Sequence, residues 1–70
     1  MIPLAMLEAG RFGVIKRVGG KAETRKFLEN LGFVQGAPIT LIAKISGNVI
    51  VSVKESRVAI SSEMARQIMV

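Results

Sequence analysis

Cysteine, histidine, tryptophan, tyrosine and aspartate are all missing from this 70-residue chain. Without thiols or imidazoles there is no disulfide, none of the usual zinc ligand sets, no thiolate nucleophile and no imidazole base. The absence of cysteine leaves the redox compartment open. The only carboxylates are Glu8, Glu23, Glu29, Glu55 and Glu63, and they fall in different predicted elements. Glu23 and Glu29 share one helix, but six residues apart they do not face each other. No carboxylate pair can therefore be set up for acid–base work, no serine has a base, and no set of oxygens converges on a hard metal ion. Val18-Gly19-Gly20-Lys21 lacks the spacing of a phosphate-binding loop. The expectation is a protein that is not an enzyme, has no small-molecule substrate or cofactor, and has no assignable metal site.

Long apolar runs are missing as well. The opening Met1-Ile2-Pro3-Leu4-Ala5-Met6-Leu7 lacks a basic leader and meets Glu8 at once. Nothing approaches the roughly 18 consecutive apolar residues of a membrane span. A soluble, cytoplasmic protein without direct membrane insertion is expected. Aromatics are nearly absent, so a core must be aliphatic apart from Phe12, Phe27 and Phe33. Half of the residues are hydrophobic, enough for one globular domain over residues 1–70. A chain of this length without staples has a thin stability margin.

What the chain does have is positive charge. The net charge is +5, and six of the ten basic residues lie between Arg11 and Lys26, with Glu23 the only acid among them. Such a stretch is either a solvated face or a surface for nucleic acid, anionic lipid or an acidic protein. Arg11, Lys16, Arg17, Lys21, Arg25 and Lys26 could track phosphates, which makes a nonspecific nucleic-acid binder the alternative reading. With no tyrosine or tryptophan, and with the phenylalanines read as core or turn residues, the stacking platforms of single-strand binders are missing.

The pattern along the chain is mainly β. Ala9-Gly10-Arg11 reads as a turn, and Phe12 to Val18 as a strand with Phe12, Val14 and Val18 on the inner face and Ile15 on the other. Lys16 interrupts that inner face, which marks an edge or a bulged strand. From Lys21 to Leu31 the spacing becomes helical, with Thr24, Phe27, Leu28 and Leu31 as the apolar stripe of about three turns. Gly32 suits a left-handed cap and Gly36 a second bend before a strand starting near Pro38. Two β-branched strands follow, Ile39–Ile45 and Val49–Lys54. Burial of both apolar sets favours a three-residue loop, Ser46-Gly47-Asn48, placing Ile45 opposite Val49, Ala43 opposite Val51 and Leu41 opposite Val53. Ile42 and Ile50 then face outward. A turn at Glu55-Ser56, a strand at Arg57–Ile60, an N-cap at Ser61 or Ser62, a helical turn and a final strand at Ile68–Val70 complete a small barrel of about five strands.

Arg25-Lys26-Phe27-Leu28-Glu29-Asn30-Leu31-Gly32-Phe33-Val34-Gln35-Gly36 is similar to the R-x-x-L-x-x-L-G-hydrophobic-x-P-G elbow of the FeoA family. Pro3-Leu4, Leu7-Glu8-Ala9-Gly10, Arg57-Val58-Ala59-Ile60 and the closing Ala65-Arg66-Gln67-Ile68-Met69-Val70 extend the resemblance over nearly the whole length. Gln35 stands where the family usually has proline, the hairpin loop at Ser46-Gly47-Asn48 is shorter, and Ile60-Ser61 replaces a common Leu-Arg. The resemblance implies an SH3-like barrel, and an accessory or regulatory role in bacterial ferrous iron uptake through the cytoplasmic G-protein region of a FeoB-type membrane transporter. The same barrel occurs as the C-terminal domain of iron- and manganese-dependent repressors. Family members are often associated with transition-metal binding, which this chain's residues do not localise. Candidate partner contacts are Arg25, Phe33, Val34, Ile42 and Ile50. Self-association stays open.

Overall fold

The computed structural model describes residues 1–70. Leu4–Met6 forms a short 3-10 turn, followed by strands β1 (Phe12–Val14) and β2 (Arg17–Val18) and helix α1 (Ala22–Asn30). Strands β3 (Pro38–Ile45), β4 (Asn48–Val53) and β5 (Ser56–Ser61), helix α2 (Ser62–Arg66) and strand β6 (Ile68–Met69) complete the chain. Two antiparallel sheets form, one in the order β1-β3-β4-β5 and one pairing β2 with β6. Their apolar faces enclose one cluster of 13 buried residues, all hydrophobic.

The expected first strand is divided in two, and over residues 12–15 its faces are reversed, while Val18 packs against the core as expected. Ile15 is buried, whereas Phe12 is 65% exposed and Val14 also faces out. Phe12 and Val14 pair with Thr40 and Pro38, so they share the outer face of β3, and Gly13 sits opposite the inward Ile39. At Ile15 the chain changes partners. Its amide donates to the Ala37 carbonyl (2.9 Å), while the next amide, of Lys16, donates to Met69 in β6 (2.8 Å). Such a switch between sheets turns a barrel corner, and the residue at the corner points inward.

Helix α1 ends as its sequence requires. Gly32 takes φ 105°, its amide donates to the Glu29 carbonyl, and the Phe33 amide donates to the Leu28 carbonyl (both 2.9 Å). This doubly bonded left-handed cap brings the residue after the glycine back onto the helix. Leu28 and Phe33 are accordingly both 0% exposed. Only Leu28 of the helix itself is fully buried; Leu31 and Thr24 are half-buried, and Phe27, expected in the apolar stripe, is 49% exposed. The reason is geometric: a nine-residue helix docked through its C-terminal cap turns a narrow face to the core.

The β3–β4 hairpin differs from the three-residue loop expected for it. The turn has two residues, Ser46 (φ 45°) and Gly47 (φ 80°), the left-handed pair that matches strand twist. Ile45 pairs with Asn48, Lys44 with Val49 and Ala43 with Ile50, and the register then shifts at Ile42 so that Leu41 pairs with Val51. One extra residue restores by a bulge the inward pairing that the longer loop was expected to provide. Beyond the bulge the faces are exchanged: Lys44 shares the inner face with buried Val49, and Ile45, expected inside, is 54% exposed. Lys44 reaches across the barrel end, its Nζ donating to the Ala5 carbonyl at 2.8 Å.

The remaining expectations shift by a residue or two. The β4–β5 turn is Lys54-Glu55, both with positive φ, and β5 starts at Ser56. Ser61 is the N-cap of α2, its Oγ accepting from the Met64 amide at 3.2 Å. Ala65 and Ile68 pack inward, and β6 pairs with β2 to close the barrel. Reciprocal bonds between Ile2 and Val70 (2.9 and 2.8 Å) fasten the two chain ends together.

Candidate functional site

The five sequence candidates separate into two places, the elbow and the outer sheet face. Phe33 is 0% exposed in the core, sealed against Leu28 by the helix cap, and backs the elbow cleft from within. Arg25 and Val34 line a cleft of about 260 Å³ at the elbow. Ile42 and Ile50 lie half-buried on the outer face of the four-stranded sheet.

The elbow cleft is built by three segments. Helix α1 contributes Arg25 and Glu29, one turn apart on the same face; the corner after β1 contributes Lys16 and Arg17; the segment after the helix cap contributes Val34 and Gln35. Three cations and one carboxylate therefore line the cleft. The chain's four side-chain hydrogen bonds are made by Lys44, Ser62, Ser61 and Arg66, so Lys16, Arg17 and Arg25 carry no such bond within the chain. From sequence, Lys16 and Arg17 stand among the six cations of the nucleic-acid alternative and not among the candidate partner contacts. The corner at Ile15 brings them to the elbow, and periodicity alone does not show a corner.

The outer sheet face is more apolar than the sequence suggested. Register places Phe12 and Val14 of β1, Ile42, Ala43 and Ile45 of β3, and Ile50 of β4 on that face, with the exposed Ala59 of β5 opposite Ile50. Phe12 also borders a shallow depression formed with Ile2, Met6 and Leu7. Scattered exposed apolar residues are ordinary, but a contiguous set on one sheet face marks a contact surface more often than chance. The signal that could have found Ile45 is the Ser-Gly pair itself, since a two-residue turn with Ile45 opposite Asn48 turns that isoleucine outward.

Neither surface holds a catalytic constellation. The donor set does not fit a resident metal, because no three of the five glutamates converge and no other protein ligand of that kind exists in the chain. No helix is long and apolar enough to cross a membrane.

Among solved structures, a crystal structure of an iron uptake regulatory protein (FeoA) superposes with a TM-score of 0.89 at 29% identity, covering 97% of this chain and 90% of that one. The zinc complex of Stenotrophomonas maltophilia FeoA, described as a procaryotic SH3 domain protein, gives 0.86 at 23% identity over 99% and 88% of the two chains. A manganese-dependent transcriptional repressor gives 0.87 at 17% identity, covering 94% of this chain and 38% of that one. No curated protein sequence matches the chain. Fold and register together define a small SH3-like barrel. The FeoA domain model matches residues 2–70. The chain belongs to the FeoA family, which is associated with ferrous iron transport.

Proposed function

We propose that this protein is a cytoplasmic accessory factor of ferrous iron uptake that acts by binding the cytoplasmic G-protein region of a FeoB-type transporter. The observation that carries the reading is the family match over residues 2–70. It is supported by the uncovered apolar sheet face around Ile42, Ile45 and Ile50 and by the basic elbow beside it in sequence. In this reading residues 1–70 act as one domain, the apolar face contributes affinity, and Arg25 contributes orientation and association rate.

Titration calorimetry of the purified protein against the transporter's cytoplasmic domain tests it. Ile45→Asp, at a position already exposed, and Ile42→Asp should each weaken binding by tenfold or more while circular dichroism stays unchanged. Unaltered affinity in both variants would remove the sheet face from the contact, and no binding by the parent protein would sink the transporter reading.

Nonspecific nucleic-acid binding is a second reading, and the exposure of Phe12 and Phe27 favours it more than the sequence did. Both rings are accessible for stacking on a molecule with six cations between Arg11 and Lys26. It requires retention on single-stranded DNA at low salt and release by about 200 mM. Flow-through at low salt would exclude it.

A further inference from the structure

The elbow cleft carries a more specific chemistry than its charge alone. Its three cations are contributed by two separate segments, the corner at Lys16-Arg17 and the helix at Arg25, and none makes a side-chain hydrogen bond within the chain. Arg25 precedes Glu29 by one helical turn, the less favourable order for an ion pair on a helix, so Glu29 is a weak competitor for it. Beside the cations stand the half-buried Val18 and Val34.

Two kinds of anionic ligand could use such cations, and the backbone distinguishes them. Phosphate sites are built largely from free main-chain amides at helix N-termini or in turns. From Gly32 to Ala37 every elbow amide but that of Gln35 is already engaged, and one free donor does not make a phosphate nest. Gly32 donates to Glu29, Phe33 to Leu28, Val34 to Gly32, Gly36 to Ile15 and Ala37 to Val34. What remains is a pair of guanidinium forks suited to carboxylates, next to an apolar wall. A volume of about 260 Å³ admits side chains of a peptide rather than a whole cofactor.

We infer that the elbow cleft is a receptor for an acidic peptide segment, taking glutamate or aspartate side chains on Arg17 and Arg25 and an intervening apolar side chain against Val18 and Val34. Lys16 adds long-range attraction at the rim. Glu29 sets a limit on affinity by repelling the same carboxylates. Resting on the proposed role of the elbow as a partner contact, this assigns to the partner a stretch in which acids alternate with aliphatic residues.

The test uses the full chain and fluorescent peptides of alternating glutamate and leucine, with a glutamine–leucine peptide of the same length as control. Fluorescence anisotropy should show saturable binding of the acidic peptide and none of the control. Arg25→Glu and Arg17→Glu should each weaken it tenfold or more, and Glu29→Gln should tighten it several-fold. The same charge changes made away from the cleft, Arg57→Glu and Glu55→Gln, should leave peptide binding nearly unchanged, which separates a specific cleft from general attraction to a basic protein. Effects equal to those of the cleft variants would overturn the assignment. Circular dichroism and the thermal midpoint identify any variant that has lost its fold, and Glu29→Gln keeps the prediction testable if an arginine variant has. Equal binding of the glutamine peptide, no binding of the acidic one, or displacement by millimolar inorganic phosphate would each overturn the assignment. The transporter's cytoplasmic domain, titrated separately, keeps the two ideas apart. If that domain binds Arg25→Glu as well as the parent, the cleft assignment fails and the transporter reading stands. If the peptide binds as described but the domain does not, the transporter reading fails and the cleft stands.

Discussion

Phe33 shows how a helix cap decides where a single residue of a recognised motif goes. Between two glycines, at the end of the helix, it has the sequence context of an exposed turn residue. Its position is instead set by the cap. With Gly32 left-handed, the Phe33 amide reaches back to the Leu28 carbonyl, and the ring follows its backbone onto the helix end. Leu28 and Phe33 are thereby both removed from solvent. A Cβ at Gly32 would lie 2.8 Å from the Lys54 Cγ, so the cap is also held close under the β4–β5 turn. The consequence is a sharp distinction between Phe33 and its neighbour Arg25. Phe33→Ala should cost about 3–5 kcal/mol, the usual range for a buried phenylalanine, and a domain this small rarely has more than about 3–5 kcal/mol in total. Urea titration should therefore find Phe33→Ala largely unfolded, and Arg25→Ala within about 0.5 kcal/mol of the parent. A folded Phe33→Ala variant with reduced partner binding would return Phe33 to the contact surface.

At the scale of elements, what could be read from the sequence was what repeats. The helix between two glycines, the two β-branched strands, the serine cap before α2 and the apolar closing strand each have a periodic or positional signature, and each is present within a residue or two. The departures are single-residue irregularities with no period: the corner at Ile15, which divides the first strand, and the bulge at Ile42, which exchanges the faces of Ala43, Lys44 and Ile45. Parity arguments count residues and assume an unbroken ladder, so an extra residue in the strand reads as an extra residue in the loop. The candidate site inherits both irregularities. The corner brings Lys16 and Arg17 to the elbow, and the bulge turns Ile45 outward; Ile42 and Ile50, identified from alternation alone, remain on the outer face. The two-residue turn makes a prediction that the three-residue loop does not. Ser46 holds φ 45° ahead of Gly47 at φ 80°, and asparagine is the residue best suited to the first position of such a turn. Ser46→Asn should raise stability by up to about 1 kcal/mol, a part of the roughly 1–2 kcal/mol that a left-handed backbone costs. No gain in the denaturation midpoint would argue against this turn.

The whole molecule is a cluster of 13 buried aliphatic and aromatic residues inside a shell that carries five more positive charges than negative ones. None of its four side-chain hydrogen bonds joins a cation to a carboxylate, so little attraction is organised to offset that excess. Scale decides how strongly the charges oppose folding. The principal extents are 28 × 24 × 23 Å, while the screening length is about 30 Å at 10 mM salt and about 8 Å at 150 mM. In dilute buffer every cation therefore acts on every other across the molecule, and near physiological salt only close neighbours do. Self-repulsion of a compact charged body is destabilising, so added sodium chloride should stabilise this one. A gain of about 0.5 kcal/mol would appear as a rise of roughly 2–4 °C in a domain of this length. Scanning calorimetry from 10 to 150 mM salt should show one transition whose midpoint climbs by that amount and then levels off. A midpoint that falls with salt would mean that ion pairs form in solution and hold the barrel together. Two separate transitions would show that the β2–β6 pair and the four-stranded sheet do not unfold as one domain.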